Sequence, residues 1–282
     1  KKTRRLAAER NGANMQKQSY EIIVLDLDGT LTNREKIITP RTKAAIMEAQ
    51  RRGKRVVLAS GRPTMGGTPL AKELCLGDHH GFILSFNGGA MIDCASGETI
   101  FSRMLPAESN QRIMELADEN QVAFLTYEGE RLLTNDAECP YCMLESKINH
   151  APLVEIEDIR SYLTFEVPKF LFVDDGGYLA MVEPRVKAAL GKNFSVYRSD
   201  PYFLEILPKG IDKAQSLERL LGHLGISRER MIACGDGYND LSMIRYAGLG
   251  VAMENAVLSL RKEADYITSS NNDDGVAEVI EK

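Results

Sequence analysis

The sequence predicts an α/β fold: a parallel sheet core covered by helices on both faces, with a large inserted α+β domain. Three observations predict it. Short apolar runs rich in β-branched residues recur at 21–25, 55–59 and 231–234, and each empties into polar residues, as buried parallel strands do. Amphipathic stretches with cap signals lie beside these runs in a strand, helix, strand order. Between about Asn87 and Leu207 the alternation gives way to a mixture of strand and helix patterns.

The first strand, 21–25, ends in Asp26-Leu27-Asp28-Gly29, which places two carboxylates where strand becomes loop. Thr39-Pro40 then opens a helix with an N-cap and an N1 proline. Ala45, Ile46 and Ala49 give it an inner face, and Gly53 stops it. The second strand, 55–59, discharges into Ser60-Gly61-Arg62. Late in the chain, 212–224 reads as a helix with Leu217, Leu220, Leu221 and Leu224 on one side. A strand at 231–234 follows, then the loop Gly235-Asp236-Gly237-Tyr238-Asn239-Asp240, another helix and a short strand at 250–253. In such sheets ligands bind beyond the carboxyl ends of the strands, where Asp26, Ser60 and Asp236 lie.

Within the insertion, strand-like runs at 99–104, 122–127, 169–173, 194–197 and 203–206 mix with a helix at 106–120. Pro184 interrupts an otherwise helical 178–190, which predicts a kink or a late start there. The expected division is a core of 20–86 and 207–282 with an inserted domain of 87–206. Residues 1–14 hold five basic side chains and one acidic one without apolar periodicity, so 1–19 is expected to be a disordered N-terminal extension. Met15 is a candidate natural start.

A formal net charge of -5 gives no global attraction to nucleic acid or an anionic membrane, and no stretch is apolar enough to span a bilayer. Five scattered cysteines suggest no disulfide framework and fit a cytoplasmic setting. Cys139-Pro140-Tyr141-Cys142 has no second pair or nearby histidines to make a zinc site, and His79-His80 reads as a polar loop.

Phosphoryl transfer needs an in-line nucleophile, positive charge on the equatorial oxygens and a proton for the leaving group. Asp26 and Asp28, one residue apart in extended backbone, point to one side and can divide the work of nucleophile and general acid. Their repulsion calls for a cation, and Asp236 could complete an oxygen-rich Mg²⁺ site. Ser60 and Gly61 can offer a hydroxyl and unhindered N–H groups to a phosphate. Lys213 opens a helix, where a lysine opposes the dipole unless it faces an anion. Asp-Gly at 28 and at 236 could each be a simple turn, and Lys213 alone an ordinary surface lysine.

From Tyr20 onward, four motifs in order resemble the haloacid-dehalogenase-like (HAD) hydrolases, and within them the Cof-type sugar-phosphatase branch. They are Asp26-Leu27-Asp28-Gly29-Thr30-Leu31-Thr32, Ser60-Gly61-Arg62, Lys213 after Pro208-Lys209-Gly210-Ile211-Asp212, and Gly235-Asp236-Gly237-Tyr238-Asn239-Asp240. The resemblance implies a Rossmann-like core with a large α/β cap, introduced by Ser85-Phe86-Asn87-Gly88-Gly89. It implies that Asp26 becomes an acyl phosphate while Asp28 protonates the leaving group and then activates water. It implies Mg²⁺ held by Asp26, the main-chain carbonyl of Asp28, and Asp236. Ser60, the backbone of Leu27 and Gly61, Lys213 and Asn239 would hold the phosphoryl group, with Asp240 supporting the metal waters or Lys213. Cap side chains would choose the leaving group, and cap closure would exclude water.

The expected function is thus an Mg²⁺-dependent phosphatase of small phosphorylated metabolites, chiefly sugar phosphates. The expected partner is that metabolite, with no nucleic acid or membrane, and the chain is expected to be a monomer or weak homodimer. The rivals are a sugar phosphomutase, which passes the phosphoryl group back to sugar, and a non-catalytic phospho-ligand sensor.

Overall fold

The computed structural model describes residues 19–282. The expected N-terminal extension therefore lies outside the described residues apart from Ser19. The chain divides into two compact units, one built from the residues up to Phe101 with Asp212–Lys282, the other from Ser102–Ile211.

In the first unit every side chain of Ile22–Leu25 (β1) is buried, because a parallel strand with layers on both faces has no solvent side. Burying each such aliphatic side chain contributes roughly 1.5–3 kcal/mol before chain entropy is counted. The other strands of this unit are β2 (Arg55–Ala59), β3 (Phe82–Ser85), β4 (Ala90–Asp93), β5 (Thr99–Ser102), β12 (Met231–Gly235), β13 (Leu249–Ala252) and β14 (Tyr266–Ile267). The second unit holds β6 (Ala123–Glu128), β7 (Arg131–Thr134), β8 (Leu153–Glu155), β9 (Phe170–Val173), β10 (Phe194–Asp200) and β11 (Phe203–Pro208).

The core sheet runs β14-β13-β12-β1-β2-β3-β4-β5. Pairing is parallel from β14 to β3, and β4 returns antiparallel to β3. The chain winds outward from β1 through β2 to β3 on one side and from β12 through β13 to β14 on the other. The order therefore reverses between β1 and β12, the place in an open α/β sheet where a crevice forms. Flanking helices form as their caps predict. Thr39 accepts the N–H of Thr42 ahead of the helix Pro40–Arg51, which buries Ala45, Ile46 and Ala49. Asp212 accepts the N–H groups of Ala214 and Gln215 ahead of the helix Lys213–Leu224, which ends on left-handed Gly225.

The second unit has a six-stranded sheet ordered β10-β11-β9-β6-β7-β8, antiparallel except for β7 with β8. On one face Phe124, Phe170, Phe172, Leu204 and Ile206 pack in a cluster with Ile113 and Met114 of the helix Ala107–Glu119 and Leu179, Val182 and Val186 of the helix Gly176–Leu190.

Two expectations need correction. The boundaries fall at 101/102 and 211/212, not 86/87 and 206/207, because β4 and β5 extend the core sheet while β11 continues to Pro208 in the inserted sheet. The helix around Pro184 does not start late: it runs unbroken from Gly176, capped by Asp175, and buried residues on both sides of the proline hold it in place. No helix among the described residues is long and apolar enough to cross a membrane.

Candidate active site

Asp26 continues β1 into the loop, its N–H donating to the Cys234 carbonyl of β12 at 3.1 Å. The chain then turns sharply, with the N–H groups of Leu31 and Thr32 donating back to the carbonyls of Asp26 and Leu27. Gly29 makes this turn at φ +79, where a side chain is strained. Its missing side chain also has a spatial reason, since a Cβ there would lie 2.3 Å from Asp236 Oδ2. Thr30 Oγ1 donates to the other oxygen of Asp236 at 3.0 Å. The loop after β1 is thus fitted around the carboxylate that ends β12.

Lys213 is the first residue of its helix, yet its side chain is fully buried. Its ammonium donates to Asp26 Oδ1 and Asp240 Oδ1, each at 2.6 Å, and to the carbonyl of Ala59 at 2.8 Å. The anions this lysine faces are two carboxylates. Asp240 spends its second oxygen on the N–H groups of Asp236 and Gly237, both at 2.9 Å. Both of its oxygens are therefore committed, one to the lysine and one to the loop backbone.

Asp26, Asp236 and Asp240 each place a carboxylate oxygen within 4.8 Å of the others. Three carboxylates against one ammonium leave a formal excess of negative charge. Burial and then the neighbouring Asp240 carboxylate raise the Asp26 pKa, with Lys213 opposing them. Asp236 is pushed up to about 6, again by burial first and Asp240 second. Burial disfavours the charged form of Lys213, but Asp240 and Asp26 together reverse this and hold it protonated. Such a donor set fits a hard divalent cation such as Mg²⁺. With Asp240 already committed, Asp26 and Asp236 are the side chains that would hold it.

Asp28 has different company. Arg62 grips it through both oxygens, Nε at 2.7 Å and Nη2 at 2.5 Å, and Lys36 donates to it at 2.6 Å. Burial raises its pKa, but these two cations outweigh that and leave it below the ordinary carboxylate range. Ser60 follows β2 with its N–H on the Leu84 carbonyl, and its buried hydroxyl accepts the Arg62 N–H at 3.0 Å. Asn239 donates to Asn87 Oδ1 at 3.0 Å, and the same Asn87 side chain would lie 3.1 Å from a Cβ on Gly61.

The structure thus unites Asp26, Lys213, Asp236 and Asp240, and links Gly61 to Asn239 through Asn87. Leu27 is buried and its carbonyl is taken by Thr32. Sequence reasoning missed Arg62, Lys36, Thr30 and Asn87 as partners of these residues. Arg62 and Thr30 stood inside quoted motifs and could have been found there. Asn87 stood in the quoted Asn87-Gly88 turn, which marks a turn but not its partner, and Lys36 carries no local signal.

Known proteins resemble the chain over most of its length. The family model for haloacid dehalogenase-like hydrolases matches residues 23–280. Among curated proteins, the Bacillus subtilis 5-amino-6-(5-phospho-D-ribitylamino)uracil phosphatase YcsE is 30% identical over 265 residues, covering 92% of this chain and 94% of its own. A haloacid dehalogenase-like hydrolase from Bacteroides thetaiotaomicron is similar in structure, with TM-score 0.90 and 48% identity, over 93% of this chain and 99% of the other. TM0651 from Thermotoga maritima follows with TM-score 0.85 and 28% identity, over 93% and 97%. The match spans nearly the whole described chain, and the chain belongs to the haloacid dehalogenase-like hydrolases, in their Cof-type branch, and is a phosphatase.

Proposed function

We propose that this phosphatase is Mg²⁺-dependent, acts on small phosphorylated metabolites with sugar phosphates foremost, and works through an aspartyl-phosphate formed on Asp26. The carrying observation is Asp26 itself, buried at the strand end next to the reversal of strand order, bonded to Lys213 and within reach of Asp236. A carboxylate is costly to bury without work to do, and here burial strips it of water while a lysine fixes its direction.

In this reading the Asp26 carboxylate attacks phosphorus as the bond to the leaving oxygen breaks, and Asp28 gives that oxygen a proton. Water then attacks the acyl phosphate, losing a proton to Asp28 and releasing phosphate. Arg62 and Lys36 hold Asp28 as a carboxylate, the form the second step requires. For the first step Asp28 must loosen from them and take up a proton. Lys213, Ser60, Asn239 and the N–H groups of Leu27 and Gly61 hold the phosphoryl oxygens. Mg²⁺ on Asp26, Asp236 and the Asp28 carbonyl would supply the positive charge that offsets the crowded carboxylates and the phosphoryl oxygens.

The sugar-phosphate preference draws support from YcsE, whose substrate by name carries its phosphate on a ribityl chain. None of the five cysteines is in a disulfide, which accords with a cytoplasmic location. The test is a panel of hexose, pentose and triose phosphates, pyridoxal phosphate, flavin mononucleotide and an aryl phosphate, with and without Mg²⁺. Phosphate release from several, highest with sugar phosphates and absent in Asp26→Asn, is the expected result. Isomerised sugar phosphate without free phosphate would instead identify a mutase.

A further inference from the structure

The turn after β3 is sharply contorted. Phe86, Asn87 and Gly88 adopt φ of 53, 55 and 107 in succession. Asparagine tolerates this left-handed region, but a nearly buried phenylalanine there is a genuine outlier, and such backbone persists only where its surroundings over-determine it. Here they do. The N–H groups of Phe86 and Asn87 donate to the carbonyls of Arg62 and Ser60, each at 2.9 Å. Gly88 gives its carbonyl to Ser216 Oγ at 2.7 Å and lies so close to the Asp212 carbonyl that a Cβ would sit 2.7 Å from it. Asn87 Oδ1 takes the Asn239 amide at 3.0 Å. One turn therefore touches the loop of Ser60 and Gly61, the start of the helix that carries Lys213, and the loop of Asn239.

We propose that Asn87 is a positioning residue for phosphoryl transfer: its side-chain oxygen orients the Asn239 amide while its amide plane closes over Gly61, aligning the donors of two separate loops on one phosphoryl group. This rests on the reading of Ser60, Gly61 and Asn239 as the phosphoryl holders. By taking one N–H of Asn239, Asn87 sets the direction of the other. By lying against Gly61, where a Cβ would meet it at a tight 3.1 Å, it fixes the loop whose N–H groups meet the phosphate. The left-handed backbone at 86 and 87 is the cost of bringing this amide there.

The test is a mutant cycle in the full chain with Mg²⁺, reading kcat and KM for an aryl phosphate, the inhibition constant of inorganic phosphate, and Tm. Asn87→Gly keeps the left-handed backbone and removes only the side chain. Its kcat/KM should fall about 10- to 100-fold and its phosphate inhibition constant should rise, with Tm nearly unchanged. In an Asn239→Ala background the same change should cost much less, leaving only the share that acts through the Gly61 loop. A purely structural role would instead add its full cost in both backgrounds, and that result overturns the proposal. Should Asn87→Gly not fold, Asn87→Asp takes its place: it keeps size and acceptor, and its charge must weaken phosphate inhibition. An unchanged inhibition constant in whichever variant folds also overturns the proposal. Absence of phosphate release by the unaltered protein would instead strike the phosphatase mechanism, so the two failures are distinct.

Discussion

The ammonium of Lys213 lies 2.6 Å from a carboxylate oxygen of Asp26, across 187 positions of sequence, with no exposed side-chain surface on the lysine. The same ammonium holds Asp240. Lys213→Met keeps the volume and removes the charge, leaving two buried carboxylates without their cation. Removing one partner of a buried pair costs about 3–5 kcal/mol. Chemical denaturation should show that loss, and under the proposed mechanism, in which Lys213 holds phosphoryl oxygens, turnover should fall by at least ~100-fold.

Gly29→Ala meets two obstacles at once, a left-handed φ and Asp236 Oδ2 at 2.3 Å from the new methyl. The carboxylate must move. The Mg²⁺ concentration giving half-maximal turnover should rise about 10- to 100-fold, while the conformational strain itself costs only ~1–3 kcal/mol. A titration of activity against Mg²⁺ checks it, and an unchanged midpoint would remove Asp236 from the metal site.

In the inserted unit Lys169 and Glu205 are both buried, with Nζ 2.8 Å from Oε2 and the lysine 5.2 Å from the centre of the Tyr127 ring. Glu205→Leu alone removes the carboxylate that pairs with the buried ammonium and should cost about 3–5 kcal/mol in denaturant unfolding. Combining it with Lys169→Met should restore most of that loss, since an apolar pair needs no partner.

Glu278 ties the helix Gly275–Glu281 to its surroundings, accepting from Lys282 at 2.5 Å, Ser269 at 2.7 Å and Tyr266 at 3.1 Å. The Lys282 and Ser269 hydrogen bonds lower its pKa from an ordinary 4.5 to about 2. A depressed carboxylate stabilises the folded state above its unfolded value and loses that contribution as pH falls through the folded one. Glu278→Gln should therefore melt below the unaltered protein at pH 7. The gap should close as pH falls from about 4.5 to about 2. A gap independent of pH would mean that charge plays no part.

The strands that carry the site were legible because parallel burial writes β-branched runs such as Ile22-Ile23-Val24-Leu25, and their polar endings mark the loops. The helix caps Thr39 and Asp212 were legible because capping is local chemistry. The core boundary was not, since Thr99–Ser102 pairs at a sheet edge with much of its surface open and carries little apolar pattern. The hold of Arg62 and Lys36 on Asp28 was hidden for another reason: it spans 34 residues in one case and depends on a rotamer in both. The left-handed turn at Phe86 is invisible in sequence because phenylalanine has no preference for it; only the contacts with Arg62, Ser60 and Asn239 force it there.

The covalent role of Asp26 is tested most directly by rapid acid quench during turnover of a good substrate, followed by mass spectrometry of the peptide that contains Asp26. The expected result is one added phosphoryl group on Asp26 in the unaltered protein and none in Asp26→Asn, which should also release no phosphate. Steady turnover with the phosphoryl group found on another residue, or undiminished turnover by Asp26→Asn, would contradict it.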